Sequence, residues 1–259
     1  MDSQQENNDK IADLKLAAAV QKALLTGDLP ECTCGKMALK CRMSSQVGGD
    51  FYHFRQLGPD QIAFAIGDVV GHGIGAALIM ATIMTLLRTN QQDSRRPSRL
   101  VAGINDMLVR LGDQIDHPLT CSIIYGVVDL PSGVLMYVNA GHPHPFISHR
   151  TCSRINRLNP TTMLLGVQHG VLPESCYQFE QQDRLVLFTD GITEARNSLD
   201  QIFGEQQLQQ TISRMSWEEP GTLADSILDQ VKQFNNGSFP QEDDQTLVVI
   251  DFDRVSGGF

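Results

Sequence analysis

Short runs of the chain alternate between apolar and polar residues. Met37, Leu39, Cys41 and Met43 alternate with Ala38, Lys40 and Arg42, the period of a half-buried strand. The run 61–69 (QIAFAIGDV) is almost wholly apolar and reads as a buried strand. A strand is expected to open at Phe51. Others are expected at 121–130 and 134–140, joined by the turn Pro131-Ser132-Gly133, and at 177–181, 184–189 and 245–253. Helical spacing predicts helices over 74–90, after Pro97, and over 206–215 and 223–234. Strands come in adjacent runs and helices in pairs, without the strict alternation of a parallel sheet. That pattern predicts antiparallel sheets with helices packed outside, an α+β layered sandwich.

Residues 1–9 are polar and read as a disordered N-terminus. Residues 10–26 read as a helix stopped by Gly27, with Pro30 beyond. Ile11, Leu14, Ala18 and Leu25 form one apolar stripe, and Leu16, Val20 and Leu24 a second on nearly the opposite side. One stripe packs on the helix's own domain. A second implies either a fully buried helix or a further partner, a second subunit or a regulator.

Four acidic positions sit where strands begin or end: Asp50 before Phe51, Asp68 near the end of the 61–69 run, Asp190 after RLVLFT, and Asp243-Asp244 before QTLVVIDF. If those strand ends meet, the carboxylates crowd and raise one another's pKa. Hard divalent cations, Mg²⁺ or Mn²⁺, relieve the conflict, and no His or Cys cluster points to a softer metal. Glycines flank each acid (Gly48-Gly49-Asp50, Gly67-Asp68, Asp190-Gly191), giving the tight turns a compact site needs. Any one such pair is equally a plain turn. The net charge of −10, with scattered Lys and Arg, excludes a nucleic-acid footprint. No run approaches the roughly 18 apolar residues of a membrane helix, and a cytoplasmic location is expected. Six cysteines read as reduced, small core residues. Cys32 and Cys34 with Cys41 lack the partners of a zinc site.

VGGDFY (47–52), GDVVGHGIGAAL (67–78), NAGHPHP (139–145), FTDGITEA (188–195) and DDQT (243–246) together resemble the PPM, or protein phosphatase 2C-like, superfamily of metal-dependent serine/threonine phosphatases, closest to its RsbU/SpoIIE branch. The resemblance implies a four-layer α-β-β-α sandwich, with two antiparallel sheets packed face to face and a two-ion Mn²⁺ or Mg²⁺ centre between them. It implies that Asp68 bridges both ions, that the Val69 carbonyl adds a ligand, and that Asp50, Asp190 and Asp243 complete the set. The neighbouring Asp244 leaves a one-residue ambiguity. Relatives often carry GGDFYD, whereas this chain has His53 in place of the second acid. The expected layout is a disordered 1–9, a regulatory or dimerisation helix within 10–30, and a phosphatase domain over 31–255.

The chemistry implied is in-line attack of metal-activated water on phosphorus, without a covalent phosphoenzyme. His72 either donates the leaving-group proton or caps the following helix. His142 and His144 read as structural or substrate-facing. Arg42 reads as an exposed strand arginine before it reads as a phosphate ligand. Gly71-x-Gly73-x-x-Ala76 imitates a dinucleotide-binding turn but leaves the aspartates unexplained. The substrate implied is a phosphorylated STAS-type anti-sigma-factor antagonist in a partner-switching pathway. The other reading is a non-catalytic relative acting as a binding module. The residues before the first strand are too few for a sensory domain, so control is expected from another protein, dimerisation or metal supply.

Overall fold

The structure is a computed structural model that describes residues 2–26, 35–152, 154–235 and 241–253. In chain order the elements are α1 (Asp2–Leu25), β1 (Met37–Arg42), β2 (Phe51–Gln56), β3 (Gln61–Val69), α2 (Gly73–Thr89), α3 (Pro97–Ile115), β4 (Cys121–Asp129) and β5 (Val134–Ala140). They continue as β6 (Phe146–His149), β7 (Arg154–Arg157), β8 (Ser175–Gln178), β9 (Asp183–Phe188), α4 (Asp190–Thr193), α5 (Gly204–Arg214), α6 (Pro220–Phe234) and β10 (Gln245–Phe252).

Two five-stranded sheets form, ordered β1-β10-β9-β6-β7 and β2-β3-β4-β5-β8. Among the described residues, neighbouring strands of both sheets pair antiparallel. Their facing sides interlock through Ile62, Phe64, Ile66 and Ile124 against Leu185, Leu187, Val248 and Ile250. The outer face of the β3-centred sheet packs on α2 and α3 through Met80, Ile83, Leu100 and Ile104. The outer face of the β9–β10 sheet packs on α5 and α6 through Leu208, Ile212, Leu223 and Ile227. The result is the expected α-β-β-α order. It arises because β3, β9 and β10 are apolar on both sides and need cover on both.

Helix α1 starts at Asp2, so the stretch 1–9 expected to be disordered is helical from its second residue. No Gly or Pro interrupts residues 2–26, and nothing stops the helix from propagating. The expected stop at Gly27 and Pro30 and the Cys32/Cys34 pair lie outside the described residues, as do residues 254–255 of the expected domain. The packed face of α1 runs through Leu14, Ala17, Ala18, Gln21 and Leu25. Leu16 is 64% and Val20 52% exposed, which rules out a fully buried helix.

Three other differences have physical causes. The β6–β7 hairpin was not expected, because β6 buries Ser148 and His149 where a hydrophobic pattern shows a break. Those positions pair with Arg184 and Asp183 of β9, and the polarity is satisfied inside. His149 Nδ1 lies 2.7 Å from Asp183 Oδ1, and Arg184 Nε donates to Asp251 Oδ1 at 2.6 Å. Strand β8 ends at Gln178 instead of continuing to 181, because 179–183 turns into β9. Cys152 and Cys176 are exposed rather than in the core, while Cys121 is buried.

Candidate metal centre

Hairpin geometry brings the acids together. In an antiparallel pair, the start of one strand lies beside the end of its partner. Phe51 pairs with Gly67, so Asp50, before β2, and Asp68, near the end of β3, share one edge of the first sheet. Leu247 pairs with Phe188, so Asp243-Asp244, before β10, and Asp190, just past β9, share one edge of the other. Hydrogen bonds join the two edges. Thr189 and Thr246 each donate a hydroxyl to Asp50 Oδ2, at 2.9 and 2.6 Å.

Asp50 is 1% exposed, and burial pushes its pKa up to about 8 against the pull of the two threonines. Asp68 is pushed up to about 9, first by burial and then by the charges of Asp50, Asp190, Asp243 and Asp244. Burial likewise raises Asp190 and Asp243. Asp243 and Asp244 are placed differently. Asp244 Oδ1 accepts from the Ser44 N–H at 2.8 Å and the Ser44 hydroxyl at 3.0 Å, which ties it to the loop after β1. Asp243 is exposed and feels Asp190 and His72.

Among the described residues, no three His, Cys, Asp or Glu side chains converge closely enough to enclose an ion. The acids are grouped and electrostatically coupled rather than preassembled. The surroundings nevertheless fit hard cations. The donors are all oxygens, and the raised pKa values mark buried and mutually repelling carboxylates whose ionised forms a divalent cation stabilises. A Cβ on Gly49 would lie 2.6 Å from both Asp68 Oδ1 and the Val69 carbonyl oxygen, the two oxygens expected to face the ions. A Cβ on Gly48 would fall 1.7 Å from Asp244 Oδ2. Glycine at both positions leaves the acidic edge open.

His72 occupies the N-cap position of α2, yet its side chain makes no capping hydrogen bond and is exposed toward Asp243. Arg42 donates to the Leu228 carbonyl at 3.2 Å and faces Asp229, so it ties β1 to α6. His53 lies on β2 among Arg55 and Arg88, not with the acids; burial, reinforced by those cations, lowers its pKa to about 4. His142 is buried and hydrogen-bonded to Ser122, and His144 is half-buried.

Sequence reasoning did not single out Thr189, Thr246, Ser44 or Gln21. The first two stand inside the FTDG and DDQT motifs beside the acids, which is a legible signal. Gln21 is one polar residue on an otherwise apolar helix face, with nothing local to mark it. Its Nε2 donates to the Gly48 carbonyl at 2.8 Å, and its Oε1 accepts from the Gly48 N–H at 3.1 Å.

A family model described as Stage II sporulation protein E (SpoIIE) matches residues 58–253. The phosphoserine phosphatase RsbU of Bacillus subtilis (strain 168) is 25% identical over 92% of this chain and 70% of its own length. Protein IcfG of Synechocystis sp. is 26% identical over 95% of this chain but only 43% of its own length. The chain thus spans less than half of that relative. The SiaA-PP2C domain of Pseudomonas aeruginosa superposes with a TM-score of 0.80 at 20% identity, covering 98% of this chain and 100% of the other. RsbX, solved in complex with magnesium, superposes at 0.60 with 14% identity, over 86% of this chain and 98% of the other. These structures share the fold.

Proposed function

The chain belongs to the SpoIIE family, and from that premise we propose that it is a metal-dependent protein serine/threonine phosphatase. The observation that supports this reading is the electrostatic coupling of Asp68 to Asp50, Asp190 and Asp243 across the glycine-flanked ends of the two sheets. Asp68 and the Val69 carbonyl, with Asp50, Asp190 and Asp243, would hold two Mn²⁺ or Mg²⁺ ions. Such ions supply the charge that neutralises phosphoryl oxygens and activates water. We favour Asp243 over Asp244, because Asp243 is exposed at the edge and coupled to Asp190, whereas Asp244 is buried and tied through Oδ1 to the Ser44 loop.

The chain's own residues do the rest. Thr189 and Thr246 orient the Asp50 carboxylate, leaving Oδ1 free of them. The exposed His72 ring, with no capping bond to hold it, stands beside the acidic edge and donates the proton the leaving serine oxygen needs. The N-terminus of α2, next to the same loop, favours the incoming phosphate dianion.

The substrate class proposed is a phosphoserine on a small STAS-type anti-sigma-factor antagonist. What supports it is similarity to RsbU, whose name gives a phosphoserine phosphatase. Regulation is assigned to α1. Leu16 and Val20 of α1 face Ile74 and Leu78 of α2, 57% and 65% exposed, across an apolar groove of about 360 Å³. A second subunit or a regulatory protein seated there would cover this surface. No described helix is long and apolar enough to cross a membrane.

The reading is tested by incubating the protein and Mn²⁺ with a serine-phosphorylated STAS protein and following phosphate release. Release that stops with EDTA supports it. Retained metal with no hydrolysis of this or any other phosphoprotein would point to the binding-module alternative.

A further inference from the structure

His142 lies between the sheets at the edge where the acids meet, 2% exposed. The turn that carries it is clamped. Asn139, wholly buried, accepts from the His142 N–H at 2.9 Å and donates to its carbonyl at 3.2 Å. The preceding Gly141 has a φ of +67°, and a Cβ there would meet the Leu164 backbone nitrogen at 3.0 Å. The ring is therefore held in one place.

On one side, Nδ1 lies 3.0 Å from the Ser122 hydroxyl. Ser122, on β4, is the cross-strand partner of Asp68 on β3. On the other side, the ring's polar neighbour is the backbone of Phe188, the last residue of β9. Nε2 is enclosed without a well-aligned acceptor. Phe188 is followed by Thr189, which holds Asp50, and then by Asp190. One imidazole thus touches the β3-centred sheet behind Asp68 and the β9–β10 sheet behind Asp190 and the Thr189 that holds Asp50. Like-charged carboxylates cannot set their own separation, so something behind them must.

We infer that His142 is a positioning residue for metal binding: wedged between Ser122 and Phe188, it fixes the spacing between Asp68 on one sheet and, on the other, Asp190 and the Thr189 that holds Asp50. This rests on the metal-dependent reading above. The ring is too deeply buried to meet substrate. Burial keeps it neutral, lowering its pKa to about 3, so it adds no charge that would oppose a cation. A purely structural role would lower stability and leave metal affinity alone.

The test is Mn²⁺ binding to the whole chain, followed by electron paramagnetic resonance of the free ion. The proteins compared are wild type, Ser122→Ala, Ser122→Thr, His142→Gln and the Ser122→Ala/His142→Gln double variant. Ser122→Ala is expected to weaken Mn²⁺ binding about tenfold, as loss of a partner behind the ligands does. Ser122→Thr, which keeps the hydroxyl, is expected to restore most of that loss. Adding Ser122→Ala to His142→Gln is expected to cost nothing further, because both break one relay. Ser122 is only half-buried, so its variants decide the matter even if His142→Gln fails to fold. Wild type that binds Mn²⁺ while Ser122→Ala binds it equally well overturns the inference. Wild type that binds none overturns the metal-dependent reading instead.

Discussion

The side chain of Gln21 on α1 clasps both backbone polar groups of Gly48, two residues before Asp50. The pair is buried, with Gln21 5% exposed. Movement of α1 along its groove therefore pulls directly on the loop that presents the first acid. About one turn further on, at the C-terminal end of the helix, Arg88 of α2 donates to the Leu24 carbonyl and, at 3.1 Å, to that of Thr26. A helix held at these points, with an apolar stripe left open, is suited to relay a partner's position to the acidic edge.

Gln21→Ala leaves the Gly48 N–H and C=O buried without partners, a cost of about 1–3 kcal/mol. Chemical denaturation should show that loss, together with an increase of roughly tenfold in the Mn²⁺ concentration that half-activates turnover. Lost stability with unchanged metal activation would make the contact structural only.

Leu16→Ser and Val20→Ser act at exposed positions, so each should change folding stability by no more than about 0.5 kcal/mol. Oligomeric state or activation by a partner should change instead, read by light scattering and phosphatase assay. Unfolding of either variant would show that the second stripe belongs to the core.

Gly49→Ala places a methyl group 2.6 Å from Asp68 Oδ1 and the Val69 carbonyl. Overpacking of this kind costs about 1–3 kcal/mol. Here it should also weaken Mn²⁺ binding roughly tenfold or more, since it crowds two of the proposed donors. Titration of the variant with Mn²⁺ checks this.

The acids also set a pH dependence. Without metal, Asp50 and Asp68 keep their protons up to about pH 8 and 9, because burial opposes their ionisation. In the unfolded chain an aspartate ionises near about 3.9. Between those values the fold holds protons the unfolded chain has released, so metal-free stability falls as pH rises. Cations bind the ionised form and compete with those protons. The rise in melting temperature on replacing EDTA with Mn²⁺ should therefore be larger at pH 8 than at pH 5.5. A rise independent of pH would contradict the grouping of these acids around the metal.

Much of this fold is legible in the sequence where one kind of pressure acts on a segment. Strand β3 runs over 61–69 as the apolar run predicts, because both of its faces are covered. The acids are legible because each ends such a run. Legibility fails where polarity is satisfied internally. The β6–β7 hairpin hides behind His149–Asp183 and its neighbour Arg184–Asp251, and α4, at four residues, is too short to show a period. Gln21 fails for the same reason, because its worth depends on a loop 27 residues away.

Asp68 and Asp190, carried by different sheets, are proposed to serve one metal-dependent phosphatase site. Hydrolysis of para-nitrophenyl phosphate tests it most directly, with Mn²⁺, with EDTA, and for Asp68→Ala and Asp190→Ala. The expected result is manganese-dependent turnover that chelation and either substitution abolish. Turnover that survives EDTA, or that persists in both variants, would contradict it.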